Sequence, residues 1–267
     1  MSKIDPTARI EDGAVIGEGT EVGPYCIIGR NVVIGPNCRL IAHVSITGHT
    51  IVGANCTIYP FAGLGGAPQD LSYRGEPTRL EIGEGCTIRE GVTMNVGTTK
   101  DAGITRVGAR GFFMNNSHVV HDCQVGNDVI FATSATLGGH CKIGDRVYIG
   151  GLSAVHQFTR IGSYVMIGGL CGVRGDVIPY GLANGQYARL EGLNVIGMKR
   201  NKFSRERLAK VRSFYQKLFY GPGLFAERLA QVQPLAADDP AIADILTFIG
   251  DNKNRALCLP EEGADKS

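Results

Sequence analysis

From Val107 to Val177 every sixth residue is apolar, the series running Val107, Phe113, Val119, Val125, Phe131 and on to Val173. Four residues after each stands a small or β-branched residue, from Gly111, Ser117 and Cys123 to Cys171 and Val177. A period of six matches neither the helical 3.6 nor the 2 of a simple strand. It fits a short strand plus a turn, three times per coil of roughly 18 residues, the hexapeptide pattern of a parallel β-helix. The apolar first position then fills a triangular prism, and the fifth position points inward near a corner. Glycine is frequent at the second position, as at Gly108, Gly126, Gly144 and Gly162, where the turn is expected to need positive φ.

The same register runs from about Ile10 to Ile58, fails from Leu64 to Leu80, and resumes at Ile82, Ile88 and Met94. The failing segment, GGAPQDLSYRGEPTR, is polar and rich in turn formers. It is expected to be a loop thrown out from the prism, and long excursions from a regular solenoid are usually functional. GTTKDAGITR, Gly97 to Arg106, is a second excursion. The coils are expected to end by Pro179, and Gly181 to Met198 reads as an extended connector. Beyond it the period becomes helical. Ser204 caps a helix to about Tyr220, with Leu208, Val211, Tyr215 and Leu218 on one face. Gly221-Pro222-Gly223 breaks it; further helices are expected over about Leu224–Val232 and Ala241–Ile249, followed by a polar tail beyond Leu259. The chain therefore divides into a mainly β part, residues 1–180 with loops at 64–81 and 97–106, and a connector with a small C-terminal α-helical domain, residues 181–267.

Composition changes this picture little. Thirty-eight glycines in 267 residues come at a fixed period, so they signal architecture rather than disorder. A net charge of +2 names no partner. No apolar run has signal-peptide or membrane-spanning length, so a soluble cytoplasmic protein with no transmembrane segment is expected. Seven of the eight cysteines (Cys26, Cys38, Cys56, Cys86, Cys123, Cys141, Cys171) occupy the fifth, inward position, and only Cys258 does not. They read as core filler rather than disulfides or a zinc site, since no C-x-x-C occurs.

Four of the six histidines lie in the central stretch. Counted from Val107 in coils of 18, His121 is residue 14 of its coil (121 − 107), His140 residue 15 of the next (140 − 125) and His156 residue 13 of the one after (156 − 143). Three histidines are therefore expected to stack at one corner, with coils rising roughly 4.8 Å each. His118 lies near the same edge, Gly139 one coil beyond His121, and Gln157 one coil beyond Gly139. Three readings are open: solvated corner residues, a three-histidine zinc site, or a general base with helpers. In the last, His121 accepts a proton from a substrate hydroxyl, Asp122 orients it, and the N–H of Gly139 meets an oxyanion.

HVVHDCQVGN, TLGGHCKIGD and GGLSAVHQF, with the loop PQDLSYRGEPTR and the connector LNVIGMKRNKFSRE, resemble the acyl-carrier-protein-dependent UDP-N-acetylglucosamine 3-O-acyltransferases. The likeness covers almost the whole chain. It implies a left-handed β-helix, a homotrimer with sites between subunits, and transfer of a 3-hydroxyacyl chain in the first step of lipid A biosynthesis. By the same resemblance His121 is the base, Asp122 its orienting partner and Gly139 the oxyanion donor. Asp70, His118, His140 and Gln157 match contacts to the sugar or diphosphate, and His156 another essential histidine. Asn194 and Arg200 match nucleotide contacts, and Gly169 the position that limits acyl length. Two positions depart from the family. Ser72 stands where a lysine is common, with Arg74 its candidate replacement, and Ile196 stands where an acid is common. These leave open a relative's chemistry, amide formation on a 3-amino sugar nucleotide. A zinc-dependent hydratase on the same fold is the other alternative. The acyltransferase reading needs no metal and no cofactor beyond the carrier's phosphopantetheine thioester.

Between Lys199 and Lys217 eight basic residues (Lys199, Arg200, Lys202, Arg205, Arg207, Lys210, Arg212, Lys217) face one acid, Glu206. This is either a solvated helix face or a docking surface for an acidic acyl carrier protein. Nucleic acid is not expected, because no aromatic residues interleave suitably on the β-helix.

Overall fold

The computed structural model describes residues 2–251 and 255–261; most of the polar tail lies outside the described residues. Strands of mostly two residues stack into three sheets, and each coil advances the register by 18 where no excursion intervenes, as in Phe112↔Ile130↔Tyr148↔Met166. The first sheet runs from Lys3–Ile4 to Gly181–Asn184, the second from Arg9–Ile10 to Gly172–Val173, and the third from Val15–Ile16 to Arg160–Ile161. Within the prism the strands pair in parallel, and the architecture is a left-handed parallel β-helix. The coils begin at Lys3, earlier than the hydrophobic pattern indicated, because the first strand pairs on one side only and carries exposed residues.

In each central hexad the second strand residue and the fifth-position residue are buried, which is what the period of six encodes. Phe113 and Phe131 are fully buried one coil apart, with ring centroids 5.0 Å from each other. All eight cysteines are free and buried. Burial pushes the Cys171 thiol up to about 11 and that of Cys258 to about 12, so neither is a thiolate at neutral pH.

The second-position glycines do not take positive φ. That conformation belongs to the fourth position, where Asp122 (φ 62°), His140 (60°) and Phe158 (64°) turn the corner in the left-handed region. The second-position glycines answer a different constraint, close backbone approach. A Cβ on Gly126 would stand 2.7 Å from the carbonyl carbon of Gly144 in the next coil, and one on Gly108 2.6 Å from that of Gly126.

Both excursions leave the prism at one corner. The first departs from the second-sheet strand Gly63–Gly66 and re-enters at the third-sheet strand Arg79–Ile82; the second departs from Thr93–Asn95 and re-enters at Ile104–Val107. The next coil turns the same corner between His118–Val119 and Gln124–Val125. The two insertions and the histidine segment are thus stacked neighbours.

The stretch expected to be an extended connector is more ordered than that. Gly181–Asn184 continues the first sheet past Pro179 and pairs antiparallel with Arg189–Leu193. Helix α1 (Val195–Arg200) follows, capped by Asn194. Helix α2 (Arg205–Tyr220), capped by Ser204, buries Leu208, Val211, Phe214, Tyr215, Leu218 and Phe219. Helix α3 spans Phe225–Val232, and helix α4 Pro240–Gly250 behind the cap Asp239. Arg207 grips Asp239 at 2.6 and 2.8 Å, tying α2 to α4, and the Tyr180 hydroxyl donates to Asp244 at 2.6 Å, tying α4 to the prism.

Candidate active site

The corner between the second and third sheets carries the chemistry. The third hexad position sets His121 there, and the left-handed turn at the fourth puts Asp122 beside it. Nδ1 of His121 lies 2.8 Å from Oδ2 of Asp122. A carboxylate only accepts, so Nδ1 carries the proton and Nε2 presents its lone pair. Asp122 is 2% exposed, while the His121 side chain keeps a 12% opening to solvent. One coil on, the N–H of Gly139 has no acceptor among the described residues. A Cβ at Gly139 would lie 3.0 Å from Nε2 of His121, so the backbone there approaches the working face of the ring.

The expected column of three histidines is a pair. His140 meets His121 edge to face at 5.2 Å, its Nε2 3.7 Å from Oδ2 of Asp122 and its Nδ1 3.2 Å from Oδ2 of Asp101. The next ring in the column is Phe158, stacked on His140 at 4.5 Å. His156 stands apart, exposed, with Nδ1 3.1 Å from the Gln157 carbonyl. The reason is register. Asp122, His140 and Phe158 are 18 apart and share the fourth position, whereas His156 occupies a second position, two residues earlier in its hexad. Gln157, also exposed, does share the third position with His121 and Gly139. Among the described residues the group able to hold a cation is therefore His121, Asp122 and His140, not three histidines. Both Asp122 oxygens are already taken by N–H and O–H donors, which suits an orienting carboxylate.

His118, on the second sheet, sets Nδ1 2.6 Å from the Thr93 hydroxyl one coil before it. Burial lowers its pKa below the usual histidine value, favouring the neutral ring. Asp70, in the first excursion, accepts from Lys100 at 2.6 Å and from the N–H and hydroxyl of Ser72 at 2.9 Å. The Lys100 ammonium and these donors hold its carboxyl well below the usual range. The guanidinium of Arg74, the candidate replacement for the lysine absent at Ser72, donates to the carbonyls of Leu71 and Tyr73.

Sequence reading missed the second excursion's part. Thr98 holds Asp122, Lys100 holds Asp70, and Asp101 meets His140. The available signal was the interruption itself, placed one coil before the histidine segment.

Three expected site residues lie elsewhere on the chain. Asn194 caps α1 through Gly197 and donates to the Tyr164 carbonyl at 2.8 Å. With Arg200 it lines a cavity of about 370 Å³ against the first sheet, beside Asp128, Arg146 and Tyr148. Gly169 is exposed at the corner between the first and second sheets. A Cβ there would meet one atom within 4 Å, the Gly151 carbonyl oxygen at 3.4 Å, so the backbone does not demand glycine.

An open imidazole held by a buried carboxylate lies beside a backbone N–H without an acceptor among the described residues, on a hexapeptide-repeat β-helix, and the comparisons with known proteins place the chain among acyltransferases of that class. The family described as UDP N-acetylglucosamine O-acyltransferase, domain 2, matches residues 176–258. An acyl-(acyl-carrier-protein)–UDP-N-acetylglucosamine O-acyltransferase of Azorhizobium caulinodans is 54% identical over 263 residues, covering 98% of this chain and 97% of its own. The Rhizobium johnstonii protein of the same name is 47% identical over 98% of this chain and 96% of its own. The UDP-N-acetylglucosamine O-acyltransferase structure from Moraxella catarrhalis superposes with a TM-score of 0.89 at 40% identity, over 96% of this chain and 99% of that one. The chain belongs to the acyl-(acyl-carrier-protein)–UDP-N-acetylglucosamine O-acyltransferase family.

Proposed function

We propose that this protein transfers a 3-hydroxyacyl chain from acyl carrier protein to the 3-hydroxyl of UDP-N-acetylglucosamine, the first step of lipid A biosynthesis, in the cytoplasm. The observation that carries the mechanism is the triad of groups at one corner: Nε2 of His121 open, Nδ1 held by Asp122, and the Gly139 N–H without an acceptor among the described residues. Nε2 takes the proton of the sugar hydroxyl as its oxygen attacks the thioester carbonyl. The Gly139 N–H meets the oxyanion. Attack forms the new C–O bond; collapse of the tetrahedral intermediate restores the carbonyl and breaks C–S, and the proton on His121 passes to the leaving carrier thiolate. The only further group required is the carrier's own phosphopantetheine thioester.

Asp70, His118, His140 and Gln157 surround or flank this corner and serve as sugar and diphosphate contacts, with His156, which stands apart in this copy, a further substrate-binding histidine. Asn194, Arg200 and Gly169 lie on other faces of the same prism. A homotrimer, in which a face of one copy meets the corner of the next, unites them as nucleotide contacts and acyl-chain limit. Docking of the acidic carrier falls to the exposed basic residues Lys199, Arg200, Lys202, Arg205, Lys210, Arg212 and Lys217; Arg207 is excluded, being spent on Asp239. No helix among the described residues is long and apolar enough to cross a membrane.

The test is an acyl-transfer assay with UDP-N-acetylglucosamine and its 3-amino analogue, using carriers of several chain lengths. Ester formation on the hydroxyl sugar, abolished in His121→Ala, is expected. Turnover on the amino sugar alone would reassign the acceptor.

A further inference from the structure

The orienting carboxylate is itself held. Asp122 sits in a left-handed turn (φ 62°), and three donors converge on its two oxygens. His121 Nδ1 meets Oδ2 at 2.8 Å, the Thr98 hydroxyl meets Oδ2 at 2.7 Å, and the Thr98 N–H meets Oδ1 at 2.8 Å. Its own N–H donates to the Thr105 hydroxyl at 2.8 Å. Thr98 and Thr105 are 3% and 0% exposed. Thr98 lies in the second excursion and Thr105 in the strand Ile104–Val107 where that excursion re-enters the prism, so this one detour of the chain brings both threonines to Asp122.

We propose that Thr98 is a positioning residue for acyl transfer. Two donors from one residue, one on each carboxylate oxygen, stop the Asp122 carboxyl from rotating. Without them Oδ2 is free to turn toward Nε2 of His140, 3.7 Å away, and to leave Nδ1 of His121 unheld. Hydrogen bonds to a charged acceptor are short and stronger than neutral ones, and burial excludes water as a substitute donor. Thr98 thus keeps the proton of His121 on Nδ1 and the lone pair of Nε2 toward substrate, without touching substrate itself. The role rests on the reading of His121 as general base.

The experiment compares Thr98→Val, Thr98→Ser and His121→Ala by steady-state kinetics and thermal unfolding. Valine keeps shape and backbone N–H and removes only the hydroxyl; serine restores it. Thr98→Val should lose about tenfold in kcat, with KM for both substrates within about twofold, and Thr98→Ser should recover most of the loss. Wild-type kcat in Thr98→Val overturns the proposal. So does equal impairment of Thr98→Ser, in which the hydroxyl is present and the loss persists, or a rise in KM alone, which would mark a substrate contact of the loop. If Thr98→Val does not fold, Thr98→Ala is judged by the same criteria. An active His121→Ala would overturn the base assignment, whereas an inactive His121→Ala beside a normal Thr98→Val overturns the positioning role only.

Discussion

A Cβ placed on Gly139 would stand 2.6 Å from Cε1 of His121. Real side chains do not tolerate that approach, so the one residue able to present its N–H beside the ring is the one without a side chain. In Gly139→Ala the ring must swing away and give up its contact with Asp122. The fold should survive, since the displaced group is an imidazole at a solvent opening. Turnover should drop by about 10²-fold or more, the loss typical of an oxyanion donor. Near-normal kcat in a folded alanine variant would mean that the ring does not act from this position.

Removing the base itself should cost about 10²–10⁴-fold in kcat. His121→Ala leaves the prism core untouched, so thermal unfolding should stay near wild type. Asp122→Asn should also be slow, because an amide can donate to Nδ1 and so place the proton on Nε2, the wrong nitrogen. A fully active Asp122→Asn would remove the tautomer argument.

The basic helix separates into two kinds of arginine. Arg205 and Arg212 are exposed, whereas Arg207 is bound to Asp239 and stacked over Phe203 at 4.1 Å. Reversing Arg205 and Arg212 to Glu should raise KM for the acyl carrier and leave KM for the sugar nucleotide alone. The effect should shrink with added salt, since exposed charges are screened over about 8 Å at physiological ionic strength. Arg207→Ala should instead lower the unfolding midpoint, because it strands the 4%-exposed Asp239. A carrier KM that ignores both the double reversal and salt would place docking elsewhere.

Two glycines predict opposite outcomes. Gly126→Ala drives a methyl into the backbone of the next coil and should destabilise by roughly 1–3 kcal/mol. Gly169→Met meets no such wall and should fold normally. If Gly169 borders the acyl groove of a neighbouring copy, the methionine shifts preference to chains several carbons shorter, each excluded methylene forfeiting roughly 0.8 kcal/mol. An unchanged length profile across a series of acyl carriers would refute that assignment.

His118 adds a pH dependence. Burial, the main cause, lowers its folded pKa below the ordinary histidine value of about 6.5. Above that value the ring is neutral in both folded and unfolded chains and contributes no slope. As pH falls below about 6.5 the unfolded chain takes up the proton first, so stability should decline toward acid. In His118→Asn, denaturant midpoints should lose part of that decline; an identical acid slope would show that other groups carry it.

The sequence alone determined the coil, its inward positions, the two excursions and helices α2 to α4. Each is periodic or locally punctuated, and the apolar pattern and caps that encode it act within a few residues. The cysteines were legible as core for the same reason. Tertiary structure decided the site's membership. His156 missed the column because adjacent residues at a corner point in different directions, so an error of one position moves a side chain out of reach. Thr98, Lys100 and Asp101 entered because stacked coils bring an aperiodic loop over its neighbour, a relationship no local pattern carries. Asn194 became a helix cap and Arg207 an internal clamp once the chain folded back on the prism. What the hexapeptide period could announce was the frame; which side chains meet at its corner depended on through-space register between coils, where a shift of one residue changes the chemistry.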